Sequence, residues 1–394
     1  MLVLQSAAVG GMETHCIDLA AEYTRRGIAV KAIIPEGSKF DELEYRFHQA
    51  GALVERLDTD AREGRSVQVR NWLRLLRINR DFAPDVVHLH TPGATGGLAA
   101  VVTARLYSRA TVVVTEHDVP VGRPARWNLL ARLCMDRLGH GLVAVSRRNG
   151  AIRSERLGSA PRHFAAVLNG VPLPAVALED QRTNRARIRQ ELGIGPRAVV
   201  LGSLVRLDRG KGLDDLLRAF GRVLSERECE LLLVGDGPLR GELEQLCEEL
   251  GISHHVRFAG HHPLPAAFLD AMDIFVLPVP AGSMSIALLE AMGRGLPPVI
   301  TFCGPEEAVI PDETGLGAPP SDPDGLARVL LRIVEDDPLR IGLGQAAAAH
   351  VRRHFSVRRV ADDLLTVYAT VGGPAELPER LRADGPPNAR PGDR

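Results

Sequence analysis

Short apolar runs alternate with longer amphipathic stretches along most of this chain. The runs "LVLQS", "AVKAII", "DVVHLH", "TVVVTEH" and "GLVAVS" are separated by segments such as "METHCIDLAAEYTRRG", which reads as a helix. Strands that are apolar throughout and followed by helices predict a parallel sheet covered on both faces, a doubly wound α/β domain. The pattern pauses at "LNGVPLPAVALED" and restarts with "AVVLGSLV", the helix "KGLDDLLRAFGRVLSE", then "ELLLVGDG", "VRFAG" and "DIFVLPV". Pro172 and Pro174 disfavour continuation of either neighbouring element and mark the linker. The expected organisation is one doubly wound domain over residues 1–172, a second over 173–355, and a last amphipathic helix over 356–371. The stretch 372–394, rich in Pro, Gly and charge, cannot bury enough apolar surface to repay ordering and is expected to be disordered.

Composition narrows the field of functions. A chain of 394 residues, 45% hydrophobic, has material for two cores. Its formal net charge of -1 provides no global field to recruit nucleic acid, so charge must act locally. Cys16, Cys134, Cys229, Cys247 and Cys303 have neither disulfide-frame nor zinc-site spacing, which fits reduced thiols and a cytoplasmic location. No apolar stretch approaches the ~20 residues of a bilayer span, and "MLVLQSAAVGG" lacks a basic leader. A soluble protein is expected, at most peripheral on the inner membrane face.

Three places carry candidate chemistry. Gly10 and Gly11 follow the first strand and open a helix, where free amides and the absence of a side chain let an anion approach; glycine is also used there simply to turn. In "GSLVRLDRGKGLDDLL", Arg206 lies just past a strand and Lys211 just before a helix, two cations suited to a diphosphate. GxGxxG and GxxxxGK[ST] are both absent, so neither a dinucleotide cofactor nor a Walker loop is expected. In "AGSMSIALLEAMGRG", Ser283, Met284, Ser285 and Ile286 bring backbone amides to a helix start, with Glu290 below them able to bond a pair of hydroxyls. The plainer alternative is that Ser283 or Ser285 caps the helix and Glu290 faces water.

"GGMETH", "DVVHLHT", "TEHD", "AVS", "LNGV", "RLDRGKG", "LVGDGP", "VRFAG", "DIFVLP" and "SIALLEAMGRGLPPV" stand in the order and spacing of the GT-B retaining nucleotide-sugar glycosyltransferases, the glycosyl transferases group 1. The chain resembles that family up to about residue 370. The resemblance implies two doubly wound Rossmann-like domains facing a cleft, with a C-terminal helix crossing back to the first domain. It implies donor binding by Gly10, Gly11, Arg206, Lys211, Ser285, Ile286 and Glu290, the last on the ribose, and catalytic roles for His117, Arg206 and Lys211. Gly11, His90 and Asp118 are the acceptor-side candidates. The expected partners are a nucleoside-diphosphate sugar and a small-molecule, glycan or lipid-linked acceptor, with no metal and no bound cofactor. One departure is plain: the first Glu of the family's E-x7-E motif is Gly282 here. Loss of that carboxylate removes a charge-assisted hydrogen bond of roughly 1.5–3 kcal/mol to the sugar and leaves space beside the ring.

Glu116 and Asp118 would be the bases of an inverting mechanism, whereas retaining transfer needs no protein nucleophile if the departing phosphate takes the acceptor proton. His88 and His90 are read as alternating across their strand, with at most one on the ligand side. Arg65, Arg70, Arg74, Arg77 and Arg80 with Trp72, and Arg123, Arg126, Arg132, Arg137, Arg147, Arg148, Arg153 and Arg156, form two basic stretches. They suit an anionic acceptor or lipid surface, or are simply solvated helix faces. The same fold would also serve a nucleotide-sugar epimerase or hydrolase, or a non-catalytic partner subunit that binds nucleotide sugar.

Overall fold

The computed structural model describes residues 1–6, 9–57, 65–92, 98–117, 137–157, 163–173, 178–262, 265–280, 285–301 and 308–372. Pro174, Asp118, Gly282, Ser283, Met284, Cys134, Cys303 and the tail 373–394 lie outside the described residues. The chain forms two compact units, Met1–Gly170 together with the chain from Val357 on, and Val171–Ser356.

The first unit carries the strands β1 (Leu2–Leu4), β2 (Lys31–Ile34), β3 (Leu53–Arg56), β4 (Val86–Thr91), β5 (Thr111–Glu116), β6 (Gly141–Ala144) and β7 (Phe164–Ala166). All pair in parallel, in the order β3-β2-β1-β4-β5-β6-β7. The helices are α1 (Gly11–Arg25), α2 (Asp41–Gln49), α3 (Arg65–Phe82), α4 (Leu98–Tyr107) and α5 (Arg147–Leu157). Successive strand residues point to opposite faces, so one strand feeds two cores. Leu2 and Leu4 join Ile17, Leu19 and Phe47 on one side; Val3 joins Leu75, Ile78 and Val101 on the other. The C-terminal helix Val357–Gly372 seals the first of these cores with Val360, Ala361, Leu364, Leu365 and Tyr368, spaced three and four apart.

The second unit repeats the plan with β8 (Val200–Leu204), β9 (Glu230–Val234), β10 (Val256–Gly260), β11 (Ile274–Leu277), β12 (Pro298–Thr301) and β13 (Leu316–Ala318). They are again parallel, in the order β10-β9-β8-β11-β12-β13. Around them lie α6 (Leu178–Glu191), α7 (Leu213–Glu226), α8 (Arg240–Glu249), α9 (Ile286–Gly293), α10 (Pro323–Glu335) and α11 (Asp337–His354). In both sheets the strand order reverses, between β1 and β4 and between β8 and β11, and ligands of open α/β sheets bind at the strand ends there. Among the described residues no helix is long and apolar enough to cross a membrane.

Candidate functional site

The reversal in the second unit places the predicted cations. Arg206 follows β8 in a turn pinned from both ends: Val205 N–H donates to Val234 O at 2.9 Å and Leu207 N–H to Asp236 O at 3.1 Å. Lys211 lies five residues further on, immediately before Gly212, whose φ is +67°. A Cβ at Gly212 would stand 2.0 Å from the Pro278 carbonyl oxygen, so only glycine lets the Lys211 loop press against the chain leaving β11. That same stretch leads to α9, where Ser285 is the N-cap and its Oγ accepts from Leu288 N–H at 3.3 Å. The cap thus commits the Ser285 hydroxyl, while the first amides of α9, Ile286 included, point out of the helix start. Glu290 is half-buried in the middle of this helix. Arg206 is 60% exposed beside Asp208, at 3.4 Å; among the described residues Lys211 forms no ion pair.

The reversal in the first unit differs from expectation in three respects. Gly10 N–H donates to the buried Glu13 carboxylate at 2.7 Å, so the start of α1 holds its own anion. A second anion there would face a carboxylate, and the Gly10 amide is already engaged; Gly11 is exposed. Next, His88 and His90 do not alternate. Residues two apart in a strand share a face, and the two rings lie against each other, tilted by 39°, with centroids 4.0 Å apart. Lastly, Glu116 is no free base: its carboxylate is buried with the Arg153 guanidinium at 3.1 Å. This pairing also removes Arg153 from the surface cations, and Arg74 is taken up by Glu36 and Glu55. Arg70, Trp72, Arg77, Arg80, Arg137 and Arg147 are exposed.

His88 and His90 belong to a buried set completed by His117, at the end of β5, and by His15 of α1. His88 Nδ1 and the Tyr368 hydroxyl are hydrogen-bonded at 2.7 Å, as are His88 Nε2 and Thr115 Oγ1 at 2.7 Å. His90 Nδ1 and His117 Nε2 are 3.1 Å apart. The His15 ring meets His117 and His90 edge-on, at 5.7 and 6.2 Å between centroids, and bonds the Gly170 backbone. Burial pulls His15 down to about 4 and holds His88, His90 and His117 well below the ordinary imidazole range, so all four are neutral at pH 7. His15 lies inside "GGMETH" and is not among the residues the motif reading singles out. The available signal was its place in α1, among the apolar positions that face the sheet.

Comparison with known proteins identifies the class. Residues 9–173 match Glycosyltransferase Family 4, and residues 195–336 match Glycosyl transferases group 1. The chain is 27% identical over 361 residues to the lipopolysaccharide core biosynthesis glycosyltransferase LpsD of Rhizobium meliloti, spanning 91% of this chain and 95% of that one. It is 29% identical over 391 residues to the phosphatidyl-myo-inositol mannosyltransferase of Mycobacterium leprae, spanning 92% and 93%. Among solved structures, Anabaena Alr3699/HepE in complex with UDP shares the fold with a TM-score of 0.77 at 20% identity, over 94% of this chain and 99% of that one. Two parallel Rossmann-like sheets, each with its ligand end at a reversal of strand order, define the GT-B architecture. The chain belongs to the GT-B glycosyltransferases, with a Family 4 half followed by a group 1 half.

Proposed function

We propose that this glycosyltransferase is retaining and metal-independent, moving a sugar from a nucleoside diphosphate to a hydroxyl of a small-molecule, glycan or lipid-linked acceptor. Arg206, Lys211 and the amides opening α9 neutralise the leaving diphosphate, Glu290 bonds the ribose hydroxyls, and His117 meets the transferred sugar. The observation that carries the reading is the contact of Gly212 with Pro278, which seats the Lys211 loop against the segment leading to the α9 start. The diphosphate oxygen takes the acceptor proton as it departs, and the protein supplies charge rather than a nucleophile. The buried pairing of Glu116 with Arg153 supports this, because it occupies one of the two carboxylates an inverting mechanism could use. HepE binds UDP and the mycobacterial relative acts on a phosphatidylinositol, so a UDP-sugar donor and an anionic acceptor are the first to assay.

Calorimetric titration with UDP and GDP tests the diphosphate site. Arg206→Ala and Lys211→Ala should each weaken binding about 10- to 100-fold, the worth of one charge-assisted hydrogen bond, with the melting temperature nearly unchanged. Binding that is unaffected by both changes overturns the assignment. Gly282 points to a donor sugar that is deoxygenated or bulkier at the face the missing carboxylate would have read. Gly282→Glu should therefore move donor preference toward sugars hydroxylated there, measured as kcat/KM ratios over a nucleotide-sugar panel. A partner-subunit role would show as donor binding with no transfer at any acceptor, and a hydrolase as donor turnover without one.

A further inference from the structure

We infer that His90 is a positioning residue that fixes His117 as the Nδ1–H tautomer, so that His117 meets its ligand as a neutral hydrogen-bond donor. The inference rests on the reading that His117 is the ring facing the sugar. Its geometry is independent of that reading. His90 Nδ1 and His117 Nε2 lie 3.1 Å apart, and two neutral rings in that arrangement share one proton between these atoms. Two arrangements are open. If His117 Nε2 carries the proton, neutral His90 must hold its own on Nε2. Among the described residues His90 Nε2 is buried and has no partner, so this arrangement strands an N–H in the interior. If His90 Nδ1 carries the proton, Nε2 is left as a bare acceptor and the His117 proton moves to Nδ1. Orphaned buried donors are the rarer and more costly outcome, and the second arrangement avoids one at His90 Nε2, placing the His117 proton on Nδ1, which is not among the buried partnerless atoms of the described residues.

The surroundings hold His90 in the orientation this needs. His88 is clamped through both ring nitrogens, by Tyr368 of the C-terminal helix and Thr115 of β5, and its ring packs on His90 at 4.0 Å. The Tyr368 hydroxyl is in turn 3.3 Å from that of Tyr23 on α1. Among the described residues His117 Nδ1 has no partner and, unlike His90 Nε2, is not one of the buried partnerless atoms, which leaves it as the atom available to a ligand oxygen. A hydroxyl or ring oxygen of a sugar is an acceptor that Nδ1–H suits.

The test is spectroscopic and uses the ligand-free, full-length chain. With ring-15N histidine, long-range proton–nitrogen correlation spectra at pH 7.5 report which nitrogen of each imidazole is protonated, and the loss of one signal set in His117→Gln assigns His117. Wild-type His117 should be protonated on Nδ1, opposite to the Nε2–H form that free imidazole side chains favour. His90→Asn, whose amide can stand where Nδ1–H stood, should keep that signature, and His90→Leu should move the His117 Nε2 nitrogen resonance downfield, as an acceptor that has lost its donor. Nε2-protonated His117 in the wild-type protein overturns the inference without any variant, and so does an unmoved His117 Nε2 nitrogen resonance in a folded His90→Leu protein. Because no nucleotide sugar is present, failure here is separate from failure of the transferase reading, which the UDP and GDP titrations decide.

Discussion

At the residue scale the four buried imidazoles make stability depend on pH in a definite direction. Unfolded histidine binds a proton below about 6.5, whereas folded His15 binds one only near 4. Between those values the unfolded chain holds more protons than the folded one, so stability is fully present above about 6.5 and is lost as pH falls. His15 alone amounts to ~1.4 kcal/mol per pH unit, about 3 kcal/mol across the window. His88, His90 and His117 are shifted the same way and act in the same sense. Denaturant unfolding of the wild-type protein should show a marked fall in stability from pH 7 to pH 5. In His15→Asn the slope in this range should be shallower by about one proton, whatever the variant does to absolute stability. A wild-type profile that is flat over this range would mean that these imidazoles are not buried neutral.

At the scale of elements, the loop from β8 to α7 is where local geometry and ligand chemistry meet. Gly210 and Gly212 both have positive φ, +78° and +67°, but a Cβ on Gly210 meets nothing within 4 Å, whereas one on Gly212 strikes the Pro278 carbonyl. Gly210→Ala should cost only left-handed strain, about 1–2 kcal/mol. Gly212→Ala should cost more and, by pushing the Lys211 loop off β11, should weaken UDP binding about 10-fold, while Gly210→Ala leaves it nearly unchanged; paired titrations and denaturation curves check both. This loop was legible in the sequence as two cations at a strand end, since strand and helix periods place its ends. The close approach was not, because a glycine needed for φ and one needed for space look alike in a string. The same limit explains the strands that the apolar pattern did not pick out. β3 is an edge strand whose residues are exposed or half-buried, β7 is three residues long, and β12 opens on a proline. The strand period by itself places His88 and His90 on one face, against the expectation that they alternate. Which face those rings share with His15 and His117 depends on contacts between β4, β5 and α1, distant in sequence.

At the scale of the whole molecule, the chain leaves the first unit at Gly170, builds the second, and returns at Val357 to finish the first. The closing helix is no accessory. Val357, Val360, Ala361, Leu364, Leu365 and Tyr368 are all buried in the core that β1, β2 and α1 share, and Tyr368 also holds His88. Burying one Leu- or Val-sized side chain is worth ~1.5–3 kcal/mol, so losing the five larger of these, all but Ala361, removes about 10 kcal/mol, comparable with the whole stability of an ordinary domain. Unit Val171–Ser356 draws its core from its own residues, Leu201, Leu217, Phe220, Leu231 and Ile274 among them. A chain ended after Ser356 should therefore fail in one unit and hold in the other. Hydrogen exchange read by mass spectrometry should find β1, β2, β4 and β5 exchanging freely while β8, β9 and β11 stay protected, and UDP titration should still find its site. Equal loss of protection in both sheets would show that the second unit depends on the first for its folding, and protection retained in β1 and β4 would show that the returning helix is dispensable to the core it covers.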